Sequence, residues 1–141
     1  MQIDLVVDAN ILFSFFKSDS TTRQIITNFR LFKLHAPEIA LEEIIKHKSL
    51  ICNKAKISDI EFIELVEYLK TFIKFEDENT YKKFLPKAKQ ISPDLNDVAY
   101  FALALKFNCS IWSNEKQLKK QSIINIFSTS ELINLFLKNN K

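Results

Sequence analysis

Ile3-Asp4-Leu5-Val6-Val7-Asp8-Ala9-Asn10 begins as a run of β-favouring aliphatic residues and stops at two short polar side chains separated by one alanine. Such a run predicts a strand, and Asp8 and Asn10 suit the turn that leads out of it into a helix. A carboxylate at the end of Leu5-Val6-Val7 is costly to keep in a partly buried place, so Asp8 asks for a reason beyond an Asx turn. The same alternation continues outward. Residues 21–29 read as helix, 31–35 as a second strand, and Pro37 as the first residue of the next helix. Residues 73–75, 109–112 and 125–127 read as three further short strands. Apolar runs alternating with helical stripes predict an α/β fold: a central, largely parallel sheet of about five short strands flanked by helices.

Between these strands, Ser58-Asp59-Ile60-Glu61 has capping-box form and opens an amphipathic helix whose apolar stripe is read as Ile60, Ile63, Leu65, Val66 and Leu69. Residues 81–89 read as a helix that Pro86 ends or kinks. Ser92-Pro93-Asp94 starts a helix that is apolar nearly all round from Val98 to Leu105, which places it centrally. Ser128-Thr129-Ser130-Glu131 caps a last helix. With 141 residues, 47% of them hydrophobic, residues 1–141 are expected to form one domain.

Composition removes several functions. The chain has no glycine, so the glycine-rich phosphate loops of dinucleotide-binding and P-loop proteins cannot be written in it. Its histidines are His35 and His47, both read as structural or solvated, and no serine or cysteine is placed for a nucleophile, base and orienter arrangement. Cys52 and Cys109 lack metal or redox spacing and read as reduced core thiols. The opening residues carry Asp4 and Asp8 without a cation, unlike a secretory signal, and no apolar run approaches the roughly 20 residues of a bilayer span. A cytoplasmic protein without membrane contact is expected. A net charge of +3 permits an anionic partner and identifies none.

In open parallel sheets, ligands sit outside the carboxyl ends of the strands. Asp8 lies there, as do Glu42 and Glu43 after the second strand, Asp94 and Asp97 before the buried helix, and Glu115 after the fourth strand. Carboxylates gathered on one rim repel one another unless a cation neutralises them, which points to Mg²⁺ or Mn²⁺ and to phosphodiester hydrolysis. Each acid also has a structural reading. Asp94 and Asp97 could cap a helix, Asn114 and Gln117 form a capping pair that would make Glu115 a first-turn acid, and a helical wheel does not choose between Glu42 and Glu43. Lysines are concentrated in residues 44–58 and 79–93 and at Lys116, Lys119 and Lys120, where they could line a phosphate track. Tyr100 and Trp112 lie near the rim and read as packing.

Taken in order, Val6-Val7-Asp8-Ala9-Asn10-Ile11-Leu12, Ala36-Pro37-Glu38 with Leu41-Glu42-Glu43-Ile44, Asp94-Leu95-Asn96-Asp97-Val98-Ala99-Tyr100-Phe101-Ala102, and Ile111-Trp112-Ser113-Asn114-Glu115 resemble a PIN domain over nearly the whole chain. The resemblance extends to the VapC-type toxins of that family. It implies a parallel sheet flanked by helices, Mg²⁺- or Mn²⁺-dependent cleavage of RNA, a protein antitoxin as partner and a homodimer. By position it assigns Asp8, Glu43, Asp97 and Glu115 as the catalytic acids, with Asp8, Asp97, Glu115 and Asp94 on the metal, and Asn10 and Ser113 as supports. It selects Glu43 over Glu42. Where the family usually carries Asp, this chain has Glu115, whose longer arm moves the carboxylate by about one methylene. A binding module of the same fold with a weakened metal site is the alternative, and a phosphoacceptor receiver domain is a more distant one.

Overall fold

A computed structural model of the chain describes residues 2–28 and 30–137. Its five strands are β1 (Ile3–Val7), β2 (Phe32–Pro37), β3 (Ile73–Glu76), β4 (Ser110–Trp112) and β5 (Ile126–Phe127), and they form one sheet in the order β3-β2-β1-β4-β5. Every pairing is parallel. The expected α/β architecture is therefore present. From β1 the chain builds outward to β2 and β3, then returns to the other side of β1 for β4 and β5. The order thus reverses between β1 and β4, where an open parallel sheet leaves a crevice at its carboxyl edge.

The helices are α1 (Ala9–Phe13), α2 (Thr21–Asn28), α3 (Glu38–Lys46), α4 (Lys48–Ala55), α5 (Asp59–Leu69), α6 (Glu78–Tyr81), α7 (Leu85–Ile91), α8 (Val98–Phe107) and α9 (Thr129–Leu132). Helix α8 lies on the sheet against β1, β2 and β4, and its buried Tyr100, Phe101, Ala102, Leu103 and Ala104 explain why the segment is apolar on nearly every face. The carboxyl edge of the sheet is fixed by hydrogen bonds just beyond the strands. Asp8 N–H donates to the Trp112 carbonyl at 3.0 Å and Ser113 N–H to the Phe127 carbonyl at 2.9 Å. These bonds hold Asp8 and Ser113 side by side.

Several local expectations are corrected. Ile60 and Ile63 are 69% and 57% exposed, and α5 instead buries Phe62, Val66 and Leu69, the i, i+4, i+7 stripe that follows once the capping box starts the helix at Asp59. Pro86 does not end a helix. It sits in the first turn of α7, where its missing N–H leaves nothing unpaired, after a 3-10 turn at Lys82–Phe84. Pro37 ends β2 and precedes α3 as its N-cap. The helix expected over 21–29 is α2, and Phe29 lies outside the described residues. Both cysteines are half-buried rather than fully buried, and burial pushes the Cys109 thiol up to about 12. The capping boxes at Ser58 and Ser128 are both present.

His35 has no partner near it in sequence, and the fold supplies two. The ring is 1% exposed, with Nδ1 2.8 Å from Glu76 Oε2 and Nε2 2.8 Å from Asp4 Oδ1, so one side chain links β1, β2 and β3. The Phe107 ring of α8 stacks on it at a centroid distance of 4.0 Å. Glu76 is therefore occupied, and β3 is an edge strand, which removes the receiver-domain reading.

Candidate functional site

At the switch between β1 and β4, a cleft of about 500 Å³ opens at the carboxyl edge. Five acids and a phenol converge on it: Asp8, Glu43, Asp94, Asp97, Glu115 and Tyr100. Glu42 does not. It is exposed and faces a separate groove with Glu38 and Ile45 beside β3, so the structure makes the choice between Glu42 and Glu43 that a helical wheel could not.

Asp8 is only 6% exposed. Ser113 Oγ donates to its Oδ2 at 2.7 Å, and Ser113 Oγ in turn accepts the Glu115 backbone N–H at 3.1 Å. Burial pushes the Asp8 carboxyl up from its ordinary range and nearby Glu115 adds to this, while Ser113 and the amides of Asn10 and Ala9 pull it down. A buried carboxylate that accepts one strong hydrogen bond while another acid repels it is poorly compensated.

Asp94 and Asp97 come from the turn before α8. Asp94 Oδ1 accepts the Asn96 N–H at 2.9 Å and so caps the 3-10 turn Leu95–Asp97, not α8 itself. That turn carries Asp97 toward Asp8. Burial first, then the charges of Asp8, Asp94 and Glu115, push Asp97 up to about 6. The acids also repel one another as placed, and this adds to the cost of burying them.

Glu115 is exposed and its side chain accepts a hydrogen bond from Asn10 Nδ2. The capping pair expected between Asn114 and Gln117 is absent: Asn114 Oδ1 accepts the Thr129 N–H at 2.8 Å, tying the β4 turn to α9. Glu43, half-buried on α3, lines the facing wall of the cleft. Tyr100 is buried in the cleft wall, where burial and then Asp8 raise its hydroxyl well above the ordinary phenol range, so it stays neutral. Trp112 is packing, with its indole N–H donated to Thr129 Oγ1 at 2.9 Å.

His47, a solvated helix residue by its sequence neighbours, has more to do in the structure. It is half-buried at the break between α3 and α4, its Nδ1 donates to the Glu43 carbonyl at 2.9 Å, and its ring lies 5.7 Å from that of Phe13, another cleft residue. Its lysine neighbours Lys46 and Lys48 suggest a solvated face, and only the break between α3 and α4 turns the ring inward. The lysine expectation is partly corrected: Lys119 is paired with Glu131 and Lys48 with Asp59, and neither lines the cleft.

Among the described residues, no three histidine, cysteine, aspartate or glutamate side chains stand close enough together to enclose an ion by themselves. The donor set of the cleft is nonetheless all oxygen and net negative, with no thiolate or imidazole on its lining. Such a set fits Mg²⁺ or Mn²⁺ held by one or two carboxylates with water filling the remaining positions, the habit of a small hard cation. A divalent ion would also offset the burial and the repulsion that together raise Asp97.

A family model described as PIN domain matches residues 6–132. Among solved structures, the chain is similar to the crystal structure of VapBC2 from Rickettsia felis bound to a DNA fragment from their promoter. The TM-score is 0.61 at 13% identity, over 89% of this chain and 98% of that one. No curated protein matches.

Proposed function

The chain belongs to the PIN-domain family, and from that premise we propose that the acidic cleft hydrolyses phosphodiester bonds of RNA with Mg²⁺ or Mn²⁺. The observation that carries the reading is the pair formed by buried Asp8 and upshifted Asp97, two carboxylates held together at the sheet's switch point without a cation among the side chains around them. Asp8 and Asp97 would hold the ion directly, with Asp94 and Glu115 reaching it through water. When bound, the ion supplies a water of lowered pKa and offsets charge on the phosphoryl oxygens. Glu43, on the opposite wall, orients the attacking water or joins the ligands. Ser113 fixes the Asp8 carboxylate, and Asn10 fixes Glu115.

We further assign the chain to the toxin side of a toxin and antitoxin pair, acting in the cytoplasm. The likeness to VapBC2 supports a protein antitoxin, and the exposed Ile45, Ile60 and Ile63 on α3 and α5 support a homodimer. Purified protein incubated with a mixed single-stranded and hairpin RNA pool tests the activity. Cleavage is expected with Mn²⁺ or Mg²⁺, is lost with chelator, and is lost in Asp8→Asn. Undiminished cleavage in both Asp8→Asn and Asp97→Asn would overturn the assignment. One observation favours a second reading: Asn10 ties up the long arm of Glu115, which would leave a binding module with a weakened metal site. Folded protein that shifts RNA in a gel and cuts none of it would establish that reading instead.

A further inference from the structure

Phe13 faces two depressions. One is the acidic cleft, and the other is a neighbouring pocket of about 200 Å³ that it shares with Lys17, His47, Ile51 and Lys54. The Phe13 and His47 rings lie 5.7 Å apart and tilted by 52°, within the range of aromatic pairs, and form one wall. His47 is anchored through one ring nitrogen: Nδ1 donates to the Glu43 carbonyl at 2.9 Å and stands 3.6 Å from Glu43 Oε2. Lys17 and Lys54 are exposed at the rim, and neither forms an ion pair among the described residues. Each follows or ends a helical turn, where a cation is favoured in any case. What helix ends leave unexplained is that both cations meet on one pocket, beside two rings, contiguous with a row of carboxylates.

Aromatic faces flanked by cations suit a nucleotide, whose base stacks while its phosphate is neutralised. A protein segment could also pack on the rings, but it would have to bring carboxylates to the lysines beside a cleft that is itself acidic, whereas a nucleic acid carries its own phosphates to them. Because Phe13 lines the cleft as well, and His47 is bonded to Glu43 of the cleft wall, a strand crossing the acids runs directly onto this wall. We propose that Phe13, His47, Lys17 and Lys54 form a subsite that seats the nucleotide next to the scissile phosphodiester of a single-stranded RNA. The subsite rests on the nuclease reading for its orientation, while its ability to bind RNA is independent of cleavage.

The test measures fluorescence anisotropy of a labelled single-stranded RNA of about ten nucleotides with the Asp8→Asn protein, across a salt series with Mg²⁺ present. Removing two phosphate contacts in the Lys17→Gln/Lys54→Gln variant is expected to make the slope of log affinity against log salt shallower by about 1.4. Losing one stacking ring in His47→Ala is expected to weaken binding roughly tenfold and leave the slope unchanged. Phe13→Leu should act in the same way, and since Phe13 also packs on the core, melting curves accompany it and His47→Ala carries the argument alone if it unfolds. A lysine variant with the parental salt slope, or a His47→Ala variant with parental affinity, would overturn the proposal and return the pocket to a protein partner. If the parent chain cuts no RNA, the nuclease reading fails while these binding measurements still decide the subsite. If the subsite fails, cleavage by the parent chain stands.

Discussion

Replacing Asp97 by Asn should make the metal-free protein more stable at neutral pH while destroying its proposed activity. Its carboxyl rises from 3.8 to about 6, chiefly through burial and then through Asp8, Asp94 and Glu115. Each pH unit of such a rise corresponds to about 1.4 kcal/mol, which sets an upper figure of about 3 kcal/mol for the cost of ionising Asp97 in the folded state. Asp97 is only half-buried, and solvent screening reduces this to about 1 to 2 kcal/mol. The sign follows from proton counting. Between about pH 4 and pH 6 the folded state holds a proton that the unfolded state has released, so stability falls as pH rises through that window and levels off above it. Thermal melts in chelator at pH 4.5 and pH 8 would read this directly. Asp97→Asn should gain about 2 to 8 °C over the parent chain at pH 8 and about a third to a half of that at pH 4.5, which lies only just above the unfolded value of 3.8, using roughly 2 to 4 °C per kcal/mol for a chain near this size. With Mn²⁺ at about 100 times its dissociation constant, the parent should recover about 2.7 kcal/mol and the variant much less. A variant that melts lower than the parent at pH 8 in chelator, or one whose advantage is the same at both pH values, would refute the claim that an uncompensated, buried and repelled carboxylate sits at Asp97.

Other parts of the structure carry their own expectations. Ser113→Ala removes a 2.7 Å hydrogen bond to a buried carboxylate and should cost about 1.5 to 3 kcal/mol in urea unfolding at pH 7; an unchanged midpoint would mean that the hydroxyl does not hold Asp8. His35→Leu leaves Asp4 and Glu76 without their shared partner, and loss of about 3 to 5 kcal/mol by chemical denaturation is expected, with cleavage per folded molecule unchanged. Ser128→Ala breaks a capping box and should cost about 1 kcal/mol in the same measurement. The Cys109 thiol, pushed up to about 12, should react with a thiol reagent at pH 8 far more slowly in the folded protein than after denaturation; equal rates would contradict its burial.

Much of this protein is legible in one dimension because the signals are local. The strand at Ile3–Val7, the turn at Asp8-Ala9-Asn10, the capping boxes at Ser58 and Ser128 and the all-round apolar α8 follow from hydrophobic period and hydrogen-bonding side chains within a few residues. Six acids could be placed at the carboxyl edge on the same grounds, since a parallel sheet delivers its strand ends to one rim, and five of them line the cleft. What needed the tertiary structure was everything set by distance across the chain. Glu43 rather than Glu42 faces the cleft because α3 packs at a rotation its own sequence leaves open. His35 finds Asp4 and Glu76 on two neighbouring strands, 31 and 41 residues away in sequence. Ile60 and Ile63 stay outside because Phe62, Val66 and Leu69 are the residues that meet the core. Phe13, Lys17, His47 and Lys54 come from three separate elements and share a pocket only after α1, α3 and α4 have packed. Local chemistry determines which elements form and which edge carries charge, whereas helix rotation and long-range pairing are decided by packing, where burial of the largest apolar faces outweighs the preferences of any single residue.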